Sequence, residues 1–178
     1  IKRITVIDTF IPKDNKRDTN SVVIGKEGVK EGPLAGYPVL GVKCELYDGS
    51  YHPVDSSEQS FYTASLMCFK KGIMEATPIL LEPIALLSVL VLDDMIGDVM
   101  GDLNKRRGRV LQMNSTENGI QEITAEIPYE ELIDYGTVLR SMTGGFGEYS
   151  YTFLRYDPAT SEITEREVEK VKQKKEDK

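Results

Sequence analysis

The sequence has 178 residues, 40% hydrophobic and 29% charged, with no tryptophan and a net charge of −7. This length accommodates one ordinary domain or two small ones. The acidic balance excludes non-specific nucleic-acid binding over the whole surface, but leaves room for a local basic patch. No run approaches the roughly 20 apolar residues of a membrane helix, and Ile1-Lys2-Arg3 does not lead into a cleavable signal.

In chain order, Ile4, Val6 and Ile7 suggest a strand, and Pro12 to Asn20 reads as a polar loop. Val39 to Tyr47 reads as a strand, and Asp48-Gly49-Ser50 as a turn into a helix from about Ser56 to Ala76. Asp55 with Glu58, or Ser56 with Gln59, fits a capping box at the start of that helix. Tyr62, Leu66, Phe69 and Ile73 form one apolar stripe, and Pro78 stops the helix. Ile84 to Leu92 is nearly all apolar and reads as a central, covered strand. Asp93 and Asp94 open a second helix, with Ile96, Val99, Met100 and Leu103 on one face and Gly108 as its end. Arg109 to Met113 is a short strand, and Asn114 to Gly119 a turn. Gln121, Ile123, Ala125 and Ile127 alternate with polar residues, as in a half-buried strand. Pro128 stands where a proline begins a helix, whose core stripe is Leu132, Tyr135, Leu139 and Met142. Glu148 to Tyr156 is an aromatic strand of period two.

The order after Pro83 is βαββαβ, the ferredoxin-like split unit. The expected class is therefore α+β, in two small domains. A βαβ-type domain spans 1–82, a ferredoxin-like sandwich spans 83–158, and a charged tail or helix spans 159–178.

Several motifs carry little chemistry. Asn15-Lys16-Arg17-Asp18 matches the guanine-reading N-K-x-D element, but no phosphate-binding G-x-x-x-x-G-K-[ST] loop accompanies it. His52 is the single histidine, so histidine-based metal sites and paired proton shuttles are excluded within the chain. Cys44 and Cys68 lie outside metal-ligand spacing and read as reduced thiols of a cytoplasmic protein. Asp94, Asp98 and Asp102 share a helix face and, with Lys105 to Arg107 at its other end, complement the helix dipole. Yet Lys105, Arg106, Arg107 and Arg109 exceed what the dipole needs, and phosphate contact is the competing reading. Gly145 to Tyr151 partly resembles the RNP1 pattern of RNA-recognition domains. It falls on the fourth strand and lacks a leading basic residue, so core packing of its aromatics is the preferred reading. No nucleophile–base pair is detectable.

Five ordered segments carry a resemblance. They are Gly32-Pro33-Leu34-Ala35-Gly36-Tyr37-Pro38-Val39, Asp48 to Glu58, Pro78 to Ile84, Gly97 to Gly108, and Ala125 through Thr143. In order and spacing, over residues 32 to about 157, the chain resembles elongation factor G, the translational GTPase that drives translocation. The resemblance implies that the first region is that family's fourth domain, with its left-handed βαβ crossover, and the ferredoxin-like unit its fifth. It also implies that the fourth domain imitates a tRNA anticodon arm and enters the decoding region of the small subunit. Gly49, Ser50, Tyr51, His52 and Pro53 match one loop of its tip, where His52 would touch tRNA or mRNA backbone without proton transfer. The fifth domain would dock on the factor-binding rRNA of the large subunit, including the sarcin–ricin loop and stalk base. Lys105, Arg106, Arg107, Arg109, Thr143, Gly144 and Phe146 are the candidate contacts.

This part of such a factor needs no cofactor. GTP and magnesium belong to N-terminal domains absent from this sequence, and the partners are the ribosome and tRNA–mRNA, bound by a cytoplasmic monomer. Two departures stand out. The family's G-G-x-G-Q tip loop is missing, with a junction expected between Val22 and Gly28. Thr143-Gly144-Gly145-Phe146-Gly147 replaces Q-G-R-G-S. The alternatives are a ribosomal-protection or recycling relative, and a stand-alone ferredoxin-like RNA-binding module with exposed Tyr149 and Tyr151.

Overall fold

The computed structural model describes residues 30–42, 53–54, 56–116 and 119–176. They fall into two compact units, Leu81–Ala159 and Ile1–Leu80 together with Thr160–Lys178. The expected strand at Ile4, the N-K-x-D match, the expected junction between Val22 and Gly28, Cys44, and Gly49 to His52 lie outside the described residues.

In the first unit, helix α1 spans Glu58–Glu75. Its cap is Ser57, not the Asp55 or Ser56 expected from the capping-box pattern: the Ser57 Oγ accepts from the Ser60 amide at 3.1 Å. Ser57 stands in the extended conformation of an N-cap (φ −134, ψ 164), and Asp55 lies outside the described residues. Of the predicted stripe, Phe69 and Ile73 are buried while Tyr62 and Leu66 are half-buried. The helix ends before Pro78, through Thr77 at φ 55. Cys68 is a free, half-buried thiol.

The second unit is the expected four-stranded antiparallel sheet, in the order β2-β3-β1-β4. Its strands are β1 (Leu81–Leu92), β2 (Arg109–Ser115), β3 (Ile120–Pro128) and β4 (Glu148–Pro158). Helices α2 (Ile96–Lys105) and α3 (Tyr135–Met142) make the crossovers. β1 is central, pairing Leu87 with Ala125 of β3 and with Tyr151 of β4. Ala85, Leu87, Val89 and Val91 of β1 join Ile123, Ala125 and Ile127 of β3 under Val99, Leu103, Tyr135 and Leu139 of the helices. Each valine, leucine or isoleucine among them contributes about 1.5–3 kcal/mol on burial, which makes this layer the main source of the unit's stability.

Local details depart from the sequence reading. Pro128 closes β3 as an extended residue (φ −62, ψ 140), and a 3-10 turn, Tyr129–Leu132, intervenes before α3. A second 3-10 turn, Asp93–Met95, precedes α2. A register shift between Ile84 and Ala85 bulges β4 at Leu154, so that Arg155, not Leu154, pairs with Ile84. The tail does form a helix, α4 (Ser161–Glu176), which groups with the first unit.

Candidate nucleic-acid interface

The basic cluster sits where α2 ends. Gly108 N–H reaches the Leu103 carbonyl (2.8 Å) and Arg107 N–H the Asn104 carbonyl (3.2 Å), a Schellman closure. Sequence logic gives the left-handed position of such a closure to glycine, yet Arg107 occupies it at φ 59. Gly108 is required for a different reason: a Cβ there would lie 2.8 Å from the Leu103 carbonyl oxygen.

The strain at Arg107, about 1–2 kcal/mol for a left-handed non-glycine residue, is held by its guanidinium. Nη1 and Nη2 donate to the two carboxylate oxygens of Glu82 at 3.0 Å each, and Nε donates to Glu131 at 3.1 Å. Arg106 donates to Asp102 (2.7 Å), Asp134 (2.7 Å) and the Glu131 carbonyl (2.6 Å), and lies 5.4 Å from the ring centroid of Tyr135. Desolvation opposes both charges, and the carboxylate hydrogen bonds outweigh it, so both guanidinium pKa values rise. Tyr135 itself is fully buried, its hydroxyl finds no protein partner, and burial raises its pKa.

Arg106 and Arg107, expected among the rRNA contacts, are engaged within the protein, with side chains 13% and 30% exposed. Both are built into the joint between α2, β1 and the turn before α3. Lys105 is exposed at the last turn of α2. Arg109 is also exposed (side chain 69%), although its Nη2 donates to Glu126 at 2.7 Å. Glu126 in turn takes both Nη groups of Arg155, at 2.8 and 3.0 Å. The hydrogen bonds from Arg155, then Arg109, hold its carboxyl at about 2.

The second candidate element is the loop after α3. Gly145 N–H donates to the Arg140 carbonyl (2.8 Å), with Gly144 and Gly145 at φ 58 and 92. Thr143 is fully buried; its Oγ1 donates to the Leu139 carbonyl (2.7 Å) and accepts from Gly147 N–H (2.9 Å). Its side chain braces the loop and offers no surface contact, which corrects its place among the candidates. Gly144 is exposed and Phe146 stands out at 70% exposure, on a loop whose backbone is already fixed.

The fold does not bring the two elements together. Arg107 is tied to Glu82 at the start of β1, whereas Glu148, following the loop, pairs with Leu90. Those β1 positions are roughly 27 Å apart along the strand. They are two separate elements at opposite ends of the sheet.

The aromatic strand gives no base-stacking platform on the open sheet face. Tyr149 and Tyr151 are in register with Val89 and Leu87, on the side covered by helices. Tyr135 and Tyr129 meet them edge to face at 5.2 and 5.5 Å. Their exposures of 37% and 47% arise because β4 is an edge strand. The opposite face carries Ser150, Thr152 and the Glu126–Arg155 pair.

Of the tip residues, Pro53 is described and exposed; Gly49, Ser50, Tyr51 and His52 lie outside the described residues. Among the described residues no group of three or more histidine, cysteine or carboxylate side chains could hold a metal, and no helix is long and apolar enough to cross a membrane. Of the three carboxylates expected on one helix face, Asp94 lies in the 3-10 turn before α2, and Asp102, on α2 with Asp98, is engaged by Arg106.

Comparison with known proteins completes the picture. The family model described as "Elongation factor G, domain IV" matches residues 19–77, and that described as "Elongation factor G C-terminus" matches residues 79–167. A crystal structure of a protein from Thermus thermophilus is similar, at 42% identity and a TM-score of 0.72 over 86% of this chain. The present chain spans 23% of that protein's length. With successive family domains matching in order, and the ferredoxin-like sheet under the second of them, the chain belongs to the elongation factor G family.

Proposed function

We propose that this chain is the ribosome-docking part of a translational GTPase that moves tRNA and mRNA, and that it works by placing a stiff body in the decoding region. The observation that carries this reading is the succession of the two family matches, 19–77 and 79–167, across both units. GTP and magnesium would be bound by other domains of a longer parent, a cytoplasmic monomer in which this part binds no cofactor. Such a body biases the return path of tRNA by excluded volume and needs no catalytic group of its own.

In this reading the Gly49–Pro53 loop is the leading tip and His52 makes a polar contact with tRNA or mRNA backbone. Lys105 and Arg109 meet large-subunit rRNA phosphates at one end of the second unit. Gly144 and Phe146 meet rRNA at the other end, the ring by stacking and the glycine by close backbone approach. Binding a polyanion with an acidic protein relies on such local contacts and on shape, because bulk charge opposes it.

Single-round translocation by the full-length parent carrying His52→Ala tests the reading. A fall of about tenfold in rate, about 1.4 kcal/mol in the barrier, with ribosome-stimulated GTP hydrolysis unchanged, is expected. An unchanged translocation rate would remove His52 from the tip contact.

A further inference from the structure

After the second unit the chain returns to the first. β1 and β4 pair at Leu81 and Pro158, so the chain enters and leaves the second unit side by side. Beyond Ala159, α4 groups with residues 1–80. The contact is specific. The turn Gly32–Tyr37 is closed by Gly32 N–H to the Tyr37 carbonyl (2.9 Å) and Gly36 N–H to the Gly32 carbonyl (3.0 Å). From it the Tyr37 hydroxyl donates to Glu167 Oε2 at 2.8 Å, across 130 residues of sequence. Glu167 also takes Lys170 Nζ at 2.6 Å and Arg166 Nε at 3.4 Å, and its side chain is only 13% exposed. Lys170, then Tyr37, holds the Glu167 pKa below its ordinary value. One turn further on, Val171 lies 3.7 Å from where a Cβ on Gly36 would stand; Gly36 adopts φ +72.

A helix of 16 residues with Ile163, Val168 and Val171 as its only aliphatic residues has too little apolar surface to persist alone. It is ordered by what it grips, and by reciprocity it orders that in return. The C-terminal family match ends at residue 167, the residue that receives Tyr37, while α4 runs on to Glu176.

We infer that α4 is a strap: it clamps the Gly32–Tyr37 turn through the Tyr37–Glu167 hydrogen bond, with Val171 beside Gly36, and the rigidity of the first unit depends on it. The unit that contains the tip segment is therefore completed by α4. Chemistry or truncation at the last residues loosens that unit and leaves the ferredoxin-like sheet intact.

Amide hydrogen exchange on the full chain tests this. Tyr37→Phe and Glu167→Ala are expected to speed exchange at residues 34–40 roughly fivefold, the size of one lost hydrogen bond, with β1 and β3 amides unchanged. A chain ending at Ala159 is expected to lose protection there more completely, and a peptide of residues 160–178 added in trans to restore it. Exchange at 34–40 within twofold of wild type in all three would overturn the strap. So would an equal rise in β1 and β3, which would make the contact one of global stability. The readout does not involve the ribosome, so it stands or falls apart from the proposed function.

Discussion

Arg107 and Glu82 meet as a two-point fork, with both Nη–Oε distances at 3.0 Å, and the fork holds a left-handed arginine at the end of α2. Removing the guanidinium as Arg107→Ala leaves Glu82, 15% exposed, without this partner and keeps the backbone strain. A loss of about 2 kcal/mol follows. Arg107→Gly loses the same contacts and relieves the strain, so it is expected to be about 1 kcal/mol less destabilised than the alanine variant. Urea denaturation of both variants checks the order.

Thr143 is a brace. Thr143→Val keeps its shape but removes the hydroxyl that serves both Leu139 and Gly147, at an expected cost of about 1–3 kcal/mol. Gly147→Ala puts a Cβ 2.8 Å from the Thr143 oxygen and 2.9 Å from the Leu139 side chain. That overpacking is expected to cost about 1–3 kcal/mol. Thermal unfolding of both variants checks this.

Glu126 gives the second unit an acid-sensitive joint. Its folded pKa is about 2 against an ordinary 4.5, because Arg155 and Arg109 bond its charged form. A depressed carboxylate pKa stabilises fully above the unfolded value and loses that contribution as pH falls through the folded one. Stability is therefore expected to drop between about pH 4.5 and pH 2, and Glu126→Gln to flatten that limb at the cost of lower stability at neutral pH. Denaturant midpoints across this range decide it.

Within the basic cluster, neighbours separate by role. Lys105→Ala is expected to leave stability within about 0.5 kcal/mol while weakening ribosome affinity and its salt dependence. Arg106→Ala removes contacts to Asp102, Asp134 and Tyr135, and should destabilise by about 2 kcal/mol. Ribosome co-sedimentation at two salt concentrations, with melting curves for each variant, separates the two effects.

What the sequence discloses is mostly local and periodic. The alternation of Ile123, Ala125 and Ile127 and the stripe of Val99 and Leu103 are short-range patterns, and both reach the core they imply. Apart from Asp102, one turn back on α2, the partners of Arg106 and Arg107 lie 24 to 28 residues away on other elements, so the ion pairs of this run of cations are hidden from its sequence neighbourhood. The same holds for α4, whose anchor, Tyr37, is 130 residues upstream and invisible to any window. Caps fail for a subtler reason: Ser56 and Ser57 offer the same hydroxyl, and only the extended backbone and the Ser60 amide mark Ser57 as the cap. The buried Thr143 resembles a surface loop residue in sequence, because only the returning Gly147 amide reveals its task.

Hydroxyl-radical footprinting of ribosomal RNA with this chain bound tests the central claim most directly. The account predicts two separate protections, one in the small-subunit decoding region and one in the factor-binding rRNA of the large subunit. Lys105→Ala should weaken only the second and His52→Ala only the first. Binding without protection at either place, or protections that both variants leave unchanged, would contradict it.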